Sequence, residues 1–291
     1  MKRIILIFLI AINQTSFSQD KSIIFNSEIN IETNAINGAI INEVLTSGYL
    51  NNNLKDRIIA LNDQGHVINF NLNTSFVYRE KINNVLSYKF SFSDINHANT
   101  KFDNNILKLF LKGNTEFENE KLDFTTTNIR VNRYQQFKLF LDYQKDKYGF
   151  GLGLSYVYGN HNLTLISKKG SIYTAPNGEY LDLNYDINSF VTDTSNLSPF
   201  EHNGNGISLD LTGSLTFLNH KLDLYMLDLG YINWNNNSQN IYLDSTFTFN
   251  GIEVDNIFDF NDSILEISNI VDQYDNINQR NSIYKSYLCS N

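Results

Sequence analysis

Apolar and polar residues alternate along much of the chain with the period of a β-strand. In residues 66–80, HVINFNLNTSFVYRE, every second position from Ile68 is apolar or bulky, and most positions between them are asparagine or serine. Because successive side chains of a strand point to opposite faces, this segment predicts a strand with one apolar face and one amide-lined face. It is longer than the strands of about five or six residues that are typical of soluble proteins.

The same alternation recurs further along the chain. It is found at 83–93, 135–144, 148–159, 179–189, 206–217 and 221–234, with weaker candidates at 121–131, 161–168 and 239–250. The clearest segment is 148–159, where bulky residues alternate with glycine and serine. Near Met226 and Leu227 the alternation slips by one residue, which predicts a β-bulge. We expect about nine or ten strands, the first two joined as a hairpin.

Two segments depart from the strand period. Residues 41–62 and 104–114 carry apolar residues at spacings closer to those of a helix, and Gly113 is a suitable helix C-cap. We interpret both as short helices or ordered loops off the sheet. After Gly251 strict alternation is lost again, and a further helix is expected there. The absence of a low-complexity linker from the sequence indicates one domain.

Alternation alone does not say which solvent each face meets. In a soluble sandwich the apolar face points inward, whereas in a membrane barrel it meets lipid and the polar face lines the lumen. Four features favour the barrel: long strands, aromatic residues near strand ends, polar faces poor in Lys and Glu, and a glycine stripe on one strand. The predicted fold class is therefore all-β, an antiparallel up-and-down transmembrane β-barrel with short helical plug or loop elements.

The barrel interpretation assigns positions to two groups of residues. The predicted membrane-interface aromatics are Tyr78, Tyr148, Tyr156, Tyr158, Tyr231 and Trp234. The predicted lumen-facing residues are Asn69, Asn71, Asn73, Gly149, Gly151, Gly153 and Asp210. A carboxylate such as that of Asp210 is tolerated on the lumen face because water there solvates its charge.

The first residues of the chain have the features of an export signal. Lys2 and Arg3 precede a short apolar run, and the small residues Ser16 and Ser18 predict cleavage after Ser18. The run is too short to anchor the chain as a membrane helix. With 22 Lys and Arg against 31 Asp and Glu and no basic stripe, nucleic acid is not an expected partner. The single cysteine, Cys289, excludes a disulfide within the chain.

Residue types that carry enzymatic or metal chemistry form no recognisable set. The histidines are His66, His97, His161, His202 and His220. None of them has a second ligand at the spacing of a metal site. The run DLNYDIN at 182–188 resembles the opening of a calcium loop but lacks its central glycine and closing glutamate. We therefore predict a protein that is not an enzyme, without catalytic, cofactor-binding or metal-ligating residues.

Five motifs in the middle of the chain carry a resemblance to a known family. They are ILKLFLKGNTEFENEKLDF at 106–124, YGFGLGLSYVYG at 148–159, YTAPNGEYLDL at 173–183, LDLGYINWNNN at 227–237 and FNGIEVD at 249–255. In this order they resemble an uncharacterised family of exported proteins, a domain-of-unknown-function group predicted to form outer-membrane β-barrels in Gram-negative, Bacteroidota-type bacteria. The resemblance implies an outer-membrane barrel with small helical elements and carries no mechanism.

The C-terminal end departs from that family. Family members look longer, and outer-membrane barrels usually finish on an aromatic residue in a last strand, whereas this chain ends in NSIYKSYLCSN without a clear strand. We expect either a C-terminally truncated product or an assembly that closes differently. The predicted divisions are a signal peptide at 1–18, a partly helical segment at 19–65, the barrel region at 66–260 and an atypical tail at 261–291.

The predicted function is that of an exported outer-membrane barrel protein. It is expected either to pass small solutes or hydrophobic compounds, or to serve as a scaffold for surface protein export. Its expected partners are outer-membrane lipid and other envelope proteins. The alternative is a secreted or periplasmic β-sandwich that binds ligands or mediates adhesion through exposed Tyr and Trp side chains.

Overall fold

A computed structural model describes residues 20–47, 50–61, 65–192, 198, 200–218, 220–235, 237–250, 278–281 and 285–288. The strands in this part are β1 (Lys21–Thr33), β2 (His66–Lys81), β3 (Leu86–Phe102), β4 (Lys121–Asp123), β5 (Asn128–Lys145), β6 (Tyr148–Thr174), β7 (Leu181–Val191), β8 (Gly204–Phe217), β9 (His220–Trp234), β10 (Gln239–Phe249), β11 (Asn278–Asn281) and β12 (Lys285–Leu288). The helices are α1 (Gly38–Ser47), α2 (Asn52–Ile59) and α3 (Asn104–Lys112). The predicted signal peptide at 1–18 and the helix expected after Gly251 lie outside the described residues.

The strands form one sheet, which confirms the all-β prediction. Its path begins β1-β2-β3-β5-β6, and each neighbouring pair along it is antiparallel. Long alternating segments supply these strands, as the period-2 pattern predicts. Within the described residues β1 pairs only with β2, so the observed pairings do not close the sheet into a barrel.

The long strand β6 forks the sheet. Its first part, 148–159, pairs with β8, and its second part, 163–174, pairs with β7. One branch continues through β8 to β9 and β12, and the other through β7 to β10 and β11. The weak candidate at 161–168 is therefore the second part of β6 and not a separate strand.

Three strands lie where the sequence pattern predicts none. β1 falls in the segment expected to be partly helical, and β11 and β12 fall in the tail expected to lack a clear strand. β1 is an exposed edge strand, and its adjacent Ile23 and Ile24 interrupt the alternation of apolar and polar residues. β11 and β12 have four residues each, which is too few for a period of two to stand out.

The β-bulge predicted near Met226 is confirmed. The register between β8 and β9 shifts between Leu209 and Leu211, so that Leu227 and Asp228 both lie opposite Asp210. Asp228 has φ +54°, in the left-handed region that aspartate tolerates better than most residues. A bulge of this kind redirects a side chain, and here it turns Asp228 towards Lys138 on β5.

The three helices form a cap at one end of the sheet. α1 and α2 connect β1 to β2 and α3 follows β3, so all three stand at the same strand ends. Their buried contact is formed by Ile40, Leu54, Ile58 and Leu111. Asn51 and Asp103 cap α2 and α3 by accepting hydrogen bonds from backbone N–H groups. These elements confirm the helical interpretation of 41–62 and 104–114.

An ion pair also links two of the helices. The Lys112 ammonium lies 2.5 Å from the Asp56 carboxylate and 3.3 Å from that of Glu116. The hydrogen bond to Asp56, followed by that to Glu116, raises the pKa of Lys112. In the described part of the chain, none of the helices has both the length and the hydropathy to span a bilayer.

Candidate functional site on the polar face of the sheet

The two faces of the sheet differ in which side chains they expose. In a soluble protein the exposed face is the polar one, whereas here it is the apolar one. On one face large apolar side chains are exposed, with Leu139 at 51%, Leu154 at 62% and Leu224 at 64%. On the other face Gln136 and Asp210 are each only 3% exposed. The face with Leu139 and Leu154 is referred to as the apolar face, and the face with Gln136 and Asp210 as the polar face. The polar face also buries an apolar cluster that includes Val157, Ile232 and Trp234. What needs a physical reason is therefore the exposure of large apolar side chains on the apolar face.

A row of aromatic residues crosses the apolar face at right angles to the strands. Its members, each directly opposite the next, are Phe25, Phe76, Phe92, Phe137, Tyr156, Ile207, Tyr231 and Tyr287. All of them except Ile207 are aromatic. The rings of Phe92 and Phe137 have centroids 5.0 Å apart, a distance at which aromatic pairs stabilise a sheet.

The predicted interface aromatics divide between the two faces. Those on the apolar face are Tyr78, Tyr148, Tyr156, Tyr158 and Tyr231. Trp234 lies on the polar face instead, 1% exposed, where its Nε1–H donates to Ser286 Oγ at 3.0 Å. Its ring fills the space beside Gly159 and Gly204. The interface prediction for Trp234 is therefore corrected, because residues three apart in a strand, such as Tyr231 and Trp234, point to opposite faces.

Buried charges on the polar face meet at Lys138. Lys138 Nζ donates to Asp210 Oδ2 at 2.5 Å and to Asp228 Oδ1 at 3.0 Å. Gln136 Nε2 lies 2.6 Å from Asp228 Oδ1 and 2.9 Å from Ser208 Oγ. Gln136, Lys138, Ser208, Asp210 and Asp228 are referred to as the Lys138 cluster. The cluster joins β5, β8 and β9, and its two carboxylates share one ammonium group.

The bulge in β9 completes the bonding of the most buried carboxylate in this cluster. The backbone N–H of Asp228 donates to Asp210 Oδ1 at 2.8 Å, while Asp210 Oδ2 accepts from Lys138. The side chain of Asp210 is only 4% exposed. A carboxylate at this depth is stable only when both of its oxygens have partners, and the bulge supplies one of the two.

Small residues on β6 make room for the Lys138 cluster. Lys138 is on β5 and Asp210 is on β8, so the lysine side chain crosses over β6, where Gly153 and Ser155 lie. A Cβ atom on Gly153 would come within 2.7 Å of the Phe140 ring and 3.0 Å of the Asp210 Cβ. The space above Gly151 and Gly153 is thus occupied by the Phe140 ring, joined at Gly153 by Asp210, and the space above Gly149 by Gln144 and Ser214.

Replacing Gly153 by leucine is expected to destabilise the folded protein. The added side chain must displace the Phe140 ring and the Asp210 side chain, at a cost of about 1–3 kcal/mol for overpacking. Gly213 on β8 is the matched control, because a Cβ there meets no atom within 4 Å. The measurement is the temperature at which each variant loses its folded band on a gel. Equal temperatures for Gly153→Leu and Gly213→Leu would contradict this role of the glycine.

An open cavity of about 230 Å³ lies beside the Phe140 ring, and its lining includes no member of the Lys138 cluster. Its walls include Lys89, Asp142, Lys221 and Asp223, and Phe140 contributes an aromatic surface. Lys89 Nζ lies 4.8 Å from the centre of the Phe140 ring, a favourable cation–π distance. Charges of both signs on the cavity wall are suited to water and small polar solutes and unsuited to an apolar ligand.

The polar face carries every residue predicted to face a lumen. Gly149 lines the cavity, Gly151 and Gly153 lie beneath the Phe140 ring, and Asp210 belongs to the cluster. Asn69, Asn71 and Asn73 continue the same face on β2. Four cluster members, Gln136, Lys138, Ser208 and Asp228, are absent from the predicted set. The alternation in QQFKLFLDYQ places Gln136 and Lys138 on the face opposite to that of Phe137. It could therefore have indicated that both residues lie on the polar face. The contact between Lys138 and Asp210 depends on strand order, which alternation does not contain.

Among the described residues no group of three or more His, Cys, Asp and Glu side chains could hold a metal ion. His66 is buried and its Nε2 lies 2.9 Å from Asn104 Oδ1. His202 makes a similar contact with Asn205, also at 2.9 Å. Both rings thus serve the local packing of strand ends. In the described part of the sheet, the most buried ion pairs of the polar face are those of the Lys138 cluster.

A comparison with known protein families matches residues 13–290 to a family of unknown function, DUF5723. The chain belongs to this family. The match extends beyond the 60–260 region that carries the five motifs, and it confirms the predicted membership of an uncharacterised family. No curated protein and no solved structure matches the chain. Membership of DUF5723 thus indicates no particular activity. The two faces of the sheet, with their different polarity and exposure, are the features that bear on function.

Proposed function

We propose that this chain is an exported outer-membrane protein that crosses the bilayer as an antiparallel β-barrel. Its apolar face contacts lipid, and its polar face lines an aqueous path for small polar solutes. The observation that carries the proposal is the reversal of the two faces, with Leu154 62% exposed and Asp210 3% exposed. A membrane barrel has this polarity, because lipid surrounds it and water fills it.

The alternative, a soluble β-sandwich, accounts for these exposures poorly. Fully burying a leucine or phenylalanine side chain is favourable by about 1.5–3 kcal/mol. A sandwich obtains this stabilisation by turning its apolar face inward, whereas the leucines of β6 and β9 remain exposed. A lipid environment removes the cost of that exposure. It also accounts for the pairing of the charged residues on the inner side.

The position of the apolar zone along the strands supports a tilted barrel. Ser27, Thr74, Asp94, Gln135, Tyr158, Asn205 and Asn233 form one row of cross-strand partners. On β1 the apolar residues lie on both sides of this row, from Ile23 to Ile31, whereas on β9 they lie only on the side towards Leu222. The zone thus runs obliquely across the sheet. Strands that tilt by about 35–45° from the membrane normal require such an oblique zone.

Strand number and direction are compatible with closure. The path β1-β2-β3-β5-β6-β8-β9-β12 contains eight strands, and each neighbouring pair is antiparallel. The first and last strands of an even antiparallel path run in opposite directions. Pairing of the four-residue β12 with β1 would therefore close this path with an antiparallel contact, and closure of this kind removes unpaired edges from lipid.

The lengths of the connections indicate an orientation. The links between β2 and β3, β5 and β6, and β8 and β9 are short and stand at one end, while the helices and the extension of β6 stand at the other. Outer-membrane barrels keep short turns in the periplasm and long loops outside. An epitope inserted at the exposed turn Pro176–Gly178 is therefore expected to bind antibody on intact cells. The same epitope between Asn83 and Asn84 is expected to bind only after cell lysis, and the reverse pattern would contradict the orientation.

Fractionation of the expressed full chain tests the proposal. The protein is expected to pellet with outer membranes, to resist extraction by carbonate, and to change its gel mobility when heated. These properties follow from strands whose apolar face is solvated by lipid. A protein that remains monomeric and soluble without detergent, with unchanged mobility on heating, would favour the sandwich.

A further inference from the structure

The Lys138 side chain spans the inner wall of the proposed barrel. It leaves β5, crosses β6 above Ser155 and reaches a carboxylate on β8 and another on β9. The Phe140 ring lies beside it over Gly151 and Gly153. The wall at this level is thus covered by the Lys138 side chain and the Phe140 ring. On the same face, the part of β6 beneath them carries only small residues.

The charge of the cluster depends on this single lysine. Asp210 and Asp228 carry two negative charges, and Lys138 Nζ lies within 3.0 Å of an oxygen of each. Gln136 and Ser208 are neutral; Gln136 donates to Ser208 and Asp228, and the Asp228 backbone N–H donates to Asp210. Without the ammonium group, two carboxylates would face the path and attract cations to it.

A buried hydroxyl at the same level indicates contact with a hydrated solute. Ser155 is 6% exposed, and its Oγ makes no hydrogen bond to any of the described residues. It lies directly between Lys138 and Ser208 in the register of β5, β6 and β8. Buried hydroxyl groups are normally bonded, so this oxygen is suited to a water molecule or to the hydration shell of an ion.

We propose, on the basis of the proposed function, that Lys138 is a bridge that narrows the solute path at this level and sets its ion selectivity. In the bridged state the ammonium neutralises one of the two carboxylate charges and holds both carboxylates against the wall. Removal of the bridge widens the path and makes it prefer cations. Lys138 is therefore a selectivity-determining residue, and Asp210 and Asp228 are its partners in that role.

The experiment measures single-channel conductance and reversal potential of the full chain in planar bilayers under a KCl gradient. Lys138→Met keeps the apolar stem and removes the charge, and Lys138→Arg keeps the charge. Lys145→Met is the matched control, because Lys145 is exposed at the end of the same strand. Lys138→Met is expected to raise the conductance and to increase the permeability ratio of K⁺ to Cl⁻ by about tenfold. The arginine variant and the Lys145 variant are expected to behave as the wild type does.

The possible results distinguish failure of the Lys138 bridge from failure of the proposed function. If the wild type fails to enter membranes at all, the proposed function is wrong and the bridge with it. If the wild type inserts and Lys138→Met changes neither conductance nor selectivity, only the bridge is overturned, and Lys138 is a structural brace. If the wild type inserts but conducts no current, a current through the Lys138→Met variant would support a bridge that closes the path. If both the wild type and Lys138→Met insert and neither conducts a current, the bridge is overturned.

Discussion

Replacing Leu154 by arginine is expected to abolish stable insertion into lipid bilayers. Leu154 is 62% exposed in the middle of β6, with Leu139 and Leu209 directly opposite it on the two neighbouring strands. An arginine facing lipid near the bilayer centre costs about 2–4 kcal/mol. The measurement is the fraction of purified protein that acquires the heat-sensitive folded band when it is mixed with lipid vesicles.

A matched substitution separates lipid contact from a general effect of added charge. Phe110 on α3 is 82% exposed, and its helix stands outside the sheet, so Phe110→Arg is expected to insert as the wild type does. In a soluble protein both changes would be surface substitutions within about 0.5 kcal/mol of neutral. Normal folding of Leu154→Arg would therefore contradict the assignment of the apolar face to lipid.

Replacing Asp210 by alanine is expected to cause a loss of stability of about 3 kcal/mol. The change leaves Lys138 with Asp228 as its remaining carboxylate, and it removes the acceptor of the Asp228 backbone N–H. Removing one partner from a buried ion pair costs about 3–5 kcal/mol when the other charge is left without compensation. Because Lys138 keeps Asp228, the loss is expected at the lower end of this range. The midpoint of urea unfolding in vesicles measures the loss.

The control for Asp210 is a partly exposed carboxylate of the same sheet. Asp223 lies 3.0 Å from Lys221, whose side chain is 59% exposed. Such a surface pair contributes at most about 1 kcal/mol, so Asp223→Ala is expected to leave the midpoint nearly unchanged. A small and equal effect of both substitutions would show that the Lys138 cluster is solvated and not part of a packed wall.

Much of the sheet follows from the alternation of residues. Strands β2, β3, β5, β8 and β9 coincide with the alternating segments, because a long run of period two matches a strand and does not match the spacing of a helix. The bulge at Asp228 also has a local cause that is visible as a phase slip. In the same way, the glycines of β6 indicate bulky neighbours before any neighbour is known.

Other features depend on contacts that lie far apart in the chain. The fork of β6 arises because β7 and β8 both pair with it, and nothing in its own residues marks the change of partner at Gly159. Lys138 and Asp210 are 72 residues apart and meet only because β5 and β8 flank β6. Edge strands such as β1 escape detection because both of their faces are exposed, which leaves no strict pattern.

The claim that the apolar face of the sheet contacts lipid is tested most directly by fluorescence quenching with brominated acyl chains. The chain has one tryptophan, Trp234, which lies on the polar face. In vesicles of brominated lipid its emission is expected to remain, whereas a tryptophan placed at Leu154 in a Trp234→Phe background is expected to be quenched strongly. Quenching of Trp234 but not of the tryptophan at position 154, or quenching of neither, would contradict an apolar face in contact with the membrane.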